Sequence, residues 1–121
     1  MHIRKLKNCP EIVAGDKTIL RELLHPDRDY PFSGRYSLAH AVLGPGQSSE
    51  KHFLTSDEVY YILAGSGQMH INDESASVEA ADAIDIPPGS VQWIANTGES
   101  DLEFLCIVDP AWRAEDEDLI D

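Results

Sequence analysis

Residues 50–65 read EKHFLTSDEVYYILAG. His52 and Glu58 stand ahead of an apolar run that closes on Gly65. Alternate residues of a strand share a face, so the neighbour of His52 on its own face is residue 54, a leucine. The stretch is a metal site, part of one, or the shell of one that was lost, and the rest of the chain bears on which.

From Arg35 onward the pattern is that of short strands. The runs RYSLAHAVL, EVYYIL, GQMHI, AIDI, VQWIAN and LEFLCIV are rich in Val, Ile, Tyr, Phe and Trp, and the turn clusters GPGQSS, AGSG, NDES, PPGS and NTGESD separate them. That order predicts an all-β sandwich or small barrel, not a parallel α/β sheet. The first third is open. DKTILRELL fits a helix capped by Asp16, with Ile19, Leu20, Leu23 and Leu24 on one side, and equally a strand with apolar residues on both faces. HPDRDYPFSG, residues 25–34, is a loop.

At 121 residues the chain predicts one domain. A hydrophobic fraction of 42% and a charged fraction of 26% are those of an ordinary globular protein, with no apolar run long enough to span a bilayer. The start, MHIRKLKNCPE, is basic but lacks an apolar segment behind it, so no signal peptide is expected. Cys9 and Cys106 give no disulfide framework and no zinc spacing, and a cytoplasmic address follows. A formal net charge of −13 argues against nucleic acid as a partner, since phosphate binding needs clustered Lys and Arg. Part of that acidity is local: AEDEDLID at the chain's end reads as a solvated tail or a short terminal turn.

Strand parity assigns faces. In LEFLCIV the even set, Leu102, Phe104, Cys106 and Val108, is apolar and should point inward. In RYSLAHAVL the bulkier even set, Tyr36, Leu38, His40 and Val42, is the expected core face, which brings His40 inside. In EVYYIL, Val59, Tyr61 and Leu63 form a face too apolar for water, expected to pack on a second sheet, on the N-terminal segment or on another subunit.

PGQSSEKHFLTSDEVYYILAG followed by AADAIDIPPGSVQWIAN resembles the two sequence motifs of the cupin superfamily. Gly46, His52, Glu58 and Gly65 fall at the spacings of the first motif, and Pro87, Gly89 and Asn96 at those of the second. The resemblance implies a double-stranded β-helix, or jelly-roll, barrel over about residues 34–109, with an N-terminal β extension in 1–33 and an acidic tail in 110–121. Metal-binding cupins hold a divalent ion with three histidines and the glutamate inside the barrel. Here the second histidine position is Leu54, the third is Gln92, and the opening glycine of the second motif is Ala81. A register with Glu50 and His52 as the histidine pair fits less well, because Ala64 would then replace the closing glycine.

The resemblance places His52, Glu58, Tyr60 and Ile62 inside the barrel, and Gln92, Ile94 and Asn96 with them. Adding the inward His40 and Cys106 gives a candidate metal set of His52, Glu58, Gln92 and His40, in a pocket lined by Leu54, Tyr60, Ile62, Ile94 and Cys106. The ion would be Fe, Mn, Ni or Zn, with no organic cofactor. The metal-free alternative is a hydrogen-bonded cluster of His52, Glu58 and Gln92 around a ligand. The other residues carry blander expectations. Cys106 is a small hydrophobe; His70, His2 and His25 are surface residues; Trp93 and Trp112 are packing aromatics. No G-x-S-x-G elbow supports a hydrolase.

The expected function is a small cytoplasmic cupin that binds a small polar metabolite, as a metal-dependent enzyme of dioxygenase or isomerase type. The alternatives are a metal-free binding or sensor domain, or an epimerase-like enzyme using His52 as base and Tyr60 as acid. Small cupins commonly dimerise, so a homodimer is expected.

Overall fold

A computed structural model describes residues 1–120. Asp121, the last acid of the expected tail, lies outside the described residues. The strands are β1 (Glu11–Val13), β2 (Ile19–Leu24), β3 (Ser37–Leu43), β4 (His52–Leu54), β5 (Asp57–Ala64), β6 (Ser66–Ile71), β7 (Glu74–Glu79), β8 (Ala83–Ile86), β9 (Gln92–Asn96), β10 (Leu102–Asp109) and β11 (Glu117–Leu119). The helical elements are single 3-10 turns at Leu6–Asn8 and Ala114–Asp116. No helix among the described residues is long and apolar enough to cross a membrane.

Two antiparallel sheets face each other as a jelly-roll barrel, in the orders β1-β2-β3-β10-β5-β8 and β11-β4-β9-β6-β7. β1 and β2 are the N-terminal β extension: DKTILRELL resolves as strand β2, paired to β3 from Ile19↔Val42 to Leu24↔Leu38. The acidic tail is not a free tail. Its residues Glu117–Leu119 form β11, which pairs with β4 through Glu117↔Leu54 and Leu119↔His52.

The apolar core fills one end of the barrel, where Leu43, Ile62, Met69, Ile86, Ile94, Leu102 and Phe104 are buried together. β10 presents the even face inward, as its pattern predicts. β3 does the opposite of its expectation. Ala41 and Leu43 join the core, while the even face carrying His40 turns outward. The reason is volume. Ala41 sits opposite Phe104, and Ala39 opposite Cys106, so small side chains on β3 leave room for the neighbouring ring and for a cavity. Bulk marked the wrong face because the interior is filled from the adjacent strands.

The motif residues hold turns. Gly65 joins β5 to β6 at φ +85°, and a Cβ there would fall 2.5 Å from the Asp101 carbonyl oxygen. Ala81 adopts φ 74° where the motif has glycine, at a cost of about 1 kcal/mol for an L side chain. Asn96 donates from one amide nitrogen to the carbonyls of Leu43 (2.9 Å) and Ser100 (2.8 Å), and its Oδ1 accepts from Gly98 N at 2.9 Å. It thereby pins the β9–β10 turn to the end of β3. Asn96→Ala orphans these buried groups and should cost roughly 2–4 kcal/mol in urea unfolding, with the native strand content retained in circular dichroism.

Candidate functional site

The other end of the barrel is hollow. A cavity of about 470 Å³ is lined by His52, Glu58, Tyr60, Phe104, Cys106 and Val108 from the barrel, and by Asp16, Trp112 and Glu117 from the flanking segments. Alternation along β4, β5 and β10 turns these side chains inward. The β1–β2 hairpin brings in Asp16. Its turn is closed by Ala14 N donating to the Thr18 carbonyl at 2.8 Å, and Glu50 N donates to the Asp16 carbonyl at 2.8 Å. The Asp16 side chain accepts from Thr18 N (3.1 Å) and Thr18 Oγ1 (2.7 Å) through Oδ1. Its other oxygen faces His52.

His52 Nδ1 donates to the Glu50 carbonyl at 2.9 Å, which leaves Nε2 as the working nitrogen. Nε2 lies 3.6 Å from Asp16 Oδ2 and 3.9 Å from Glu117 Oε2. Gln92 Nε2 donates to Glu58 Oε1 at 2.8 Å, and Gln92 Oε1 is buried without a partner. Burial pushes the Glu58 carboxyl up to about 8 from an ordinary 4.5. The Gln92 hydrogen bond opposes this, while the Asp16 and Glu117 charges add to it. Glu117 is also raised, first by burial and against the pull of His52. Burial drives the Tyr60 phenol and the Cys106 thiol well above their usual values. At neutral pH the cavity therefore holds a protonated carboxyl, a phenol, a thiol and an imidazole beside further acids.

The structure brings together part of the expected set. His52, Glu58, Tyr60 and Cys106 line the cavity, and Gln92 holds Glu58 from behind. Ile62 and Ile94 belong to the core end, and Leu54 is buried away from the cavity. Inward residues two apart on a strand lie about 6.6 Å apart along it, so sharing a face does not place them at one depth. His40 does not join the site. It sits on the outer face of the sheet with Nε2 3.4 Å from Glu103 Oε1.

His25 is not a surface residue. It is buried, its Nδ1 accepts from Asp27 N at 3.1 Å, and its Nε2 donates to the Trp112 carbonyl at 2.8 Å. Trp112 N also donates to Ser37 Oγ at 3.0 Å, so Trp112 is anchored in place as part of the cavity wall. His70 is half-buried and stacks on Trp93 at 3.6 Å and 3°, which fits Trp93 as a packing aromatic; His2 is exposed.

Asp16 and Glu117 were not among the expected site residues. DKT does carry a signal, because an acid two before Thr favours a side-chain-closed turn, but that signal reports local structure and not what Oδ2 faces. Glu117 has no mark that separates it from Asp116 or Asp118.

The donor set does not fit the metal centre that the motif implies. Leu54 and Gln92 replace two imidazoles, His40 points away, and Glu58 is already bonded to an amide. A neutral amide oxygen is a poor ligand for first-row ions. Among the described residues no three His, Cys, Asp or Glu side chains converge as ligands.

A family model described as Cupin domain matches residues 39–108. An uncharacterized protein of Methanocaldococcus jannaschii is 38% identical over 112 residues, which are 90% of this chain and 86% of that protein. An oxalate-binding protein of Thermotoga maritima is 38% identical over 71 residues, 58% of this chain and 59% of that protein. Among solved structures, Pac13 of Streptomyces, described as a unique nucleoside dehydratase, superposes with a TM-score of 0.77 at 17% identity over 99% of this chain and 91% of that one. That likeness shows the barrel alone.

Glu58 sets a pH dependence. The folded chain holds its proton up to about pH 8, while the unfolded chain releases it near 4.5. Its contribution to stability is fully present below pH 4.5 and is lost as pH rises through 8. Glu58→Gln removes this dependence. The variant should gain nothing over the wild type at pH 4 and on the order of 4 kcal/mol by pH 8, read from urea unfolding at each pH.

Proposed function

The chain belongs to the cupin family, and from that premise we propose that its cavity binds a small polar metabolite and moves protons on it without a bound metal ion. His52 is the base and the Glu58 carboxyl the acid. One observation carries this reading. The Glu50 carbonyl fixes the His52 tautomer and leaves Nε2 toward the cavity, while Glu58, lining the same cavity from the facing sheet, keeps a proton to about pH 8. An imidazole with a free ring nitrogen and a carboxyl that keeps its proton at neutral pH are the pairing that general acid–base catalysis needs. Tyr60 suits the acid role less, because burial holds its proton too tightly. The dioxygenase or isomerase reading lacks its ligand set. With Cys9 and Cys106 both free, a reducing cytoplasm is the proposed compartment.

The test is incubation of chelator-treated protein with a small-metabolite extract, followed by mass spectrometry. The wild type should deplete a compound, and His52→Gln or Glu58→Gln should slow this by about 10²–10⁴-fold, while the compound still raises the unfolding temperature of the His52 variant. Depletion that requires added divalent metal overturns the reading. Binding without depletion assigns the chain to the binding or sensor class instead.

A homodimer belongs to the same proposal. Tyr61, Leu63 and Ile107 stand exposed on the outer face of the six-stranded sheet, an apolar patch that a second copy would cover. Light scattering should give twice the 13.4 kDa chain mass; a value near 13.4 kDa contradicts the dimer.

A further inference from the structure

The cavity holds more acid than its own bases balance. Asp16 is buried and the Glu117 side chain is nearly so. They share one imidazole, His52, which can neutralise at most one of them. The two arginines on the cavity wall are committed elsewhere. Arg28 is held by both carboxylate oxygens of Glu22 at 2.7 and 3.1 Å. Arg4 donates to the Leu23 carbonyl at 3.2 Å and lies 4.1 Å above the Tyr30 ring.

A second observation points to a missing partner. His52 is 2% exposed, yet its Nε2 lies beyond hydrogen-bond distance of both facing carboxylates and borders the cavity. Buried charges without partners are costly. The wall also carries a largely apolar and aromatic set, Leu20, Tyr60, Phe104, Val108 and Trp112, beside the polar Thr18, Ser37, Glu22 and Asp29. Aromatic rings attract organic cations, and a volume of about 470 Å³ is that of an organic ligand site. A bare ion would leave this volume and these rings unused.

We infer that the metabolite bound in this cavity carries an organic ammonium group, seated between Asp16 and Glu117, with its apolar body against Phe104 and Trp112. The inference rests on the reading of the cavity as a metabolite site and adds the charge of the ligand. Small dicarboxylates such as oxalate meet the reverse field here, acids with no uncommitted arginine on the cavity wall.

Calorimetry at pH 7 tests this with a panel of primary amines from ethanolamine to agmatine, with 1,4-butanediol as the neutral match, with oxalate and succinate, and with magnesium, manganese and zinc chlorides alone. At least one amine should bind ten-fold or more tighter than the diol, and the dicarboxylates should not bind. Asp16→Asn keeps the Oδ1 acceptor for Thr18 and drops the charge; it should weaken the amine at least ten-fold. Glu117→Gln should do the same. Gly15→Ala, whose Cβ would fall 2.8 Å from Glu117 Oε1, should also weaken it while circular dichroism stays unchanged. Preference for oxalate or succinate overturns the cation and leaves the metabolite site standing. Metal chlorides that bind and exclude the amines overturn it too, and assign the acids to an inorganic ion. Silence of every amine overturns it; if no compound of the metabolite extract binds either, the metabolite reading falls with it.

Discussion

The hydrogen bond from Gln92 to Glu58 crosses the barrel interior and joins its two sheets, because Gln92 lies on β9 of the five-stranded sheet and Glu58 on β5 of the six-stranded one. A carboxyl group this deeply enclosed cannot keep its charge cheaply, and a single amide donor does not compensate for lost water. The group therefore carries its proton into the neutral range. What surrounds it follows from that constraint. The core end is filled by apolar side chains, and the other end is left open around polar groups that need a partner from outside.

The flanking segments complete the open end. The barrel strands alone supply His52, Glu58, Tyr60 and Cys106. The acids that surround His52 Nε2 come from the β1–β2 hairpin and from β11. Each is tied down by backbone bonds: Glu50 N to the Asp16 carbonyl at 2.8 Å, and Thr55 N to the Asp116 carbonyl at 3.0 Å. His25 adds a third tie through the Trp112 carbonyl. The ends of the chain thus belong to the site, and their order governs its electrostatics.

Much of this barrel is legible because its turns are local. Gly46, Gly65 and Gly89 take positive φ at turns, a demand each meets with its own backbone, so their spacing survives as a readable signature. β7 is the exception. ESASVE has little apolar content, and it pairs with β6 from Ser66↔Glu79 to Ile71↔Glu74 mainly through the backbone ladder, with Val78 against the core and Ser77 Oγ donating to Gln68 Oε1 at 3.1 Å. The parity rule worked on β10, where every inward residue is apolar. It failed on β3, where inward alanines accommodate Phe104 and the cavity.

The sequence by itself determined the barrel, the inward placement of His52 and Glu58, and the loss of two imidazoles at Leu54 and Gln92. The strands rest on alternation and turn chemistry, which act over a few residues; the barrel and the replaced ligand positions rest on the resemblance to the cupin motifs. Tertiary structure decided the rest. It turned His40 to the outer face, brought Asp16 and Glu117 from opposite ends of the chain to one imidazole, and buried His25 behind Trp112. None of these has a local cause. Each depends on which strand lies beside which, and an acidic residue carries no mark that tells a solvated tail from the floor of a cavity.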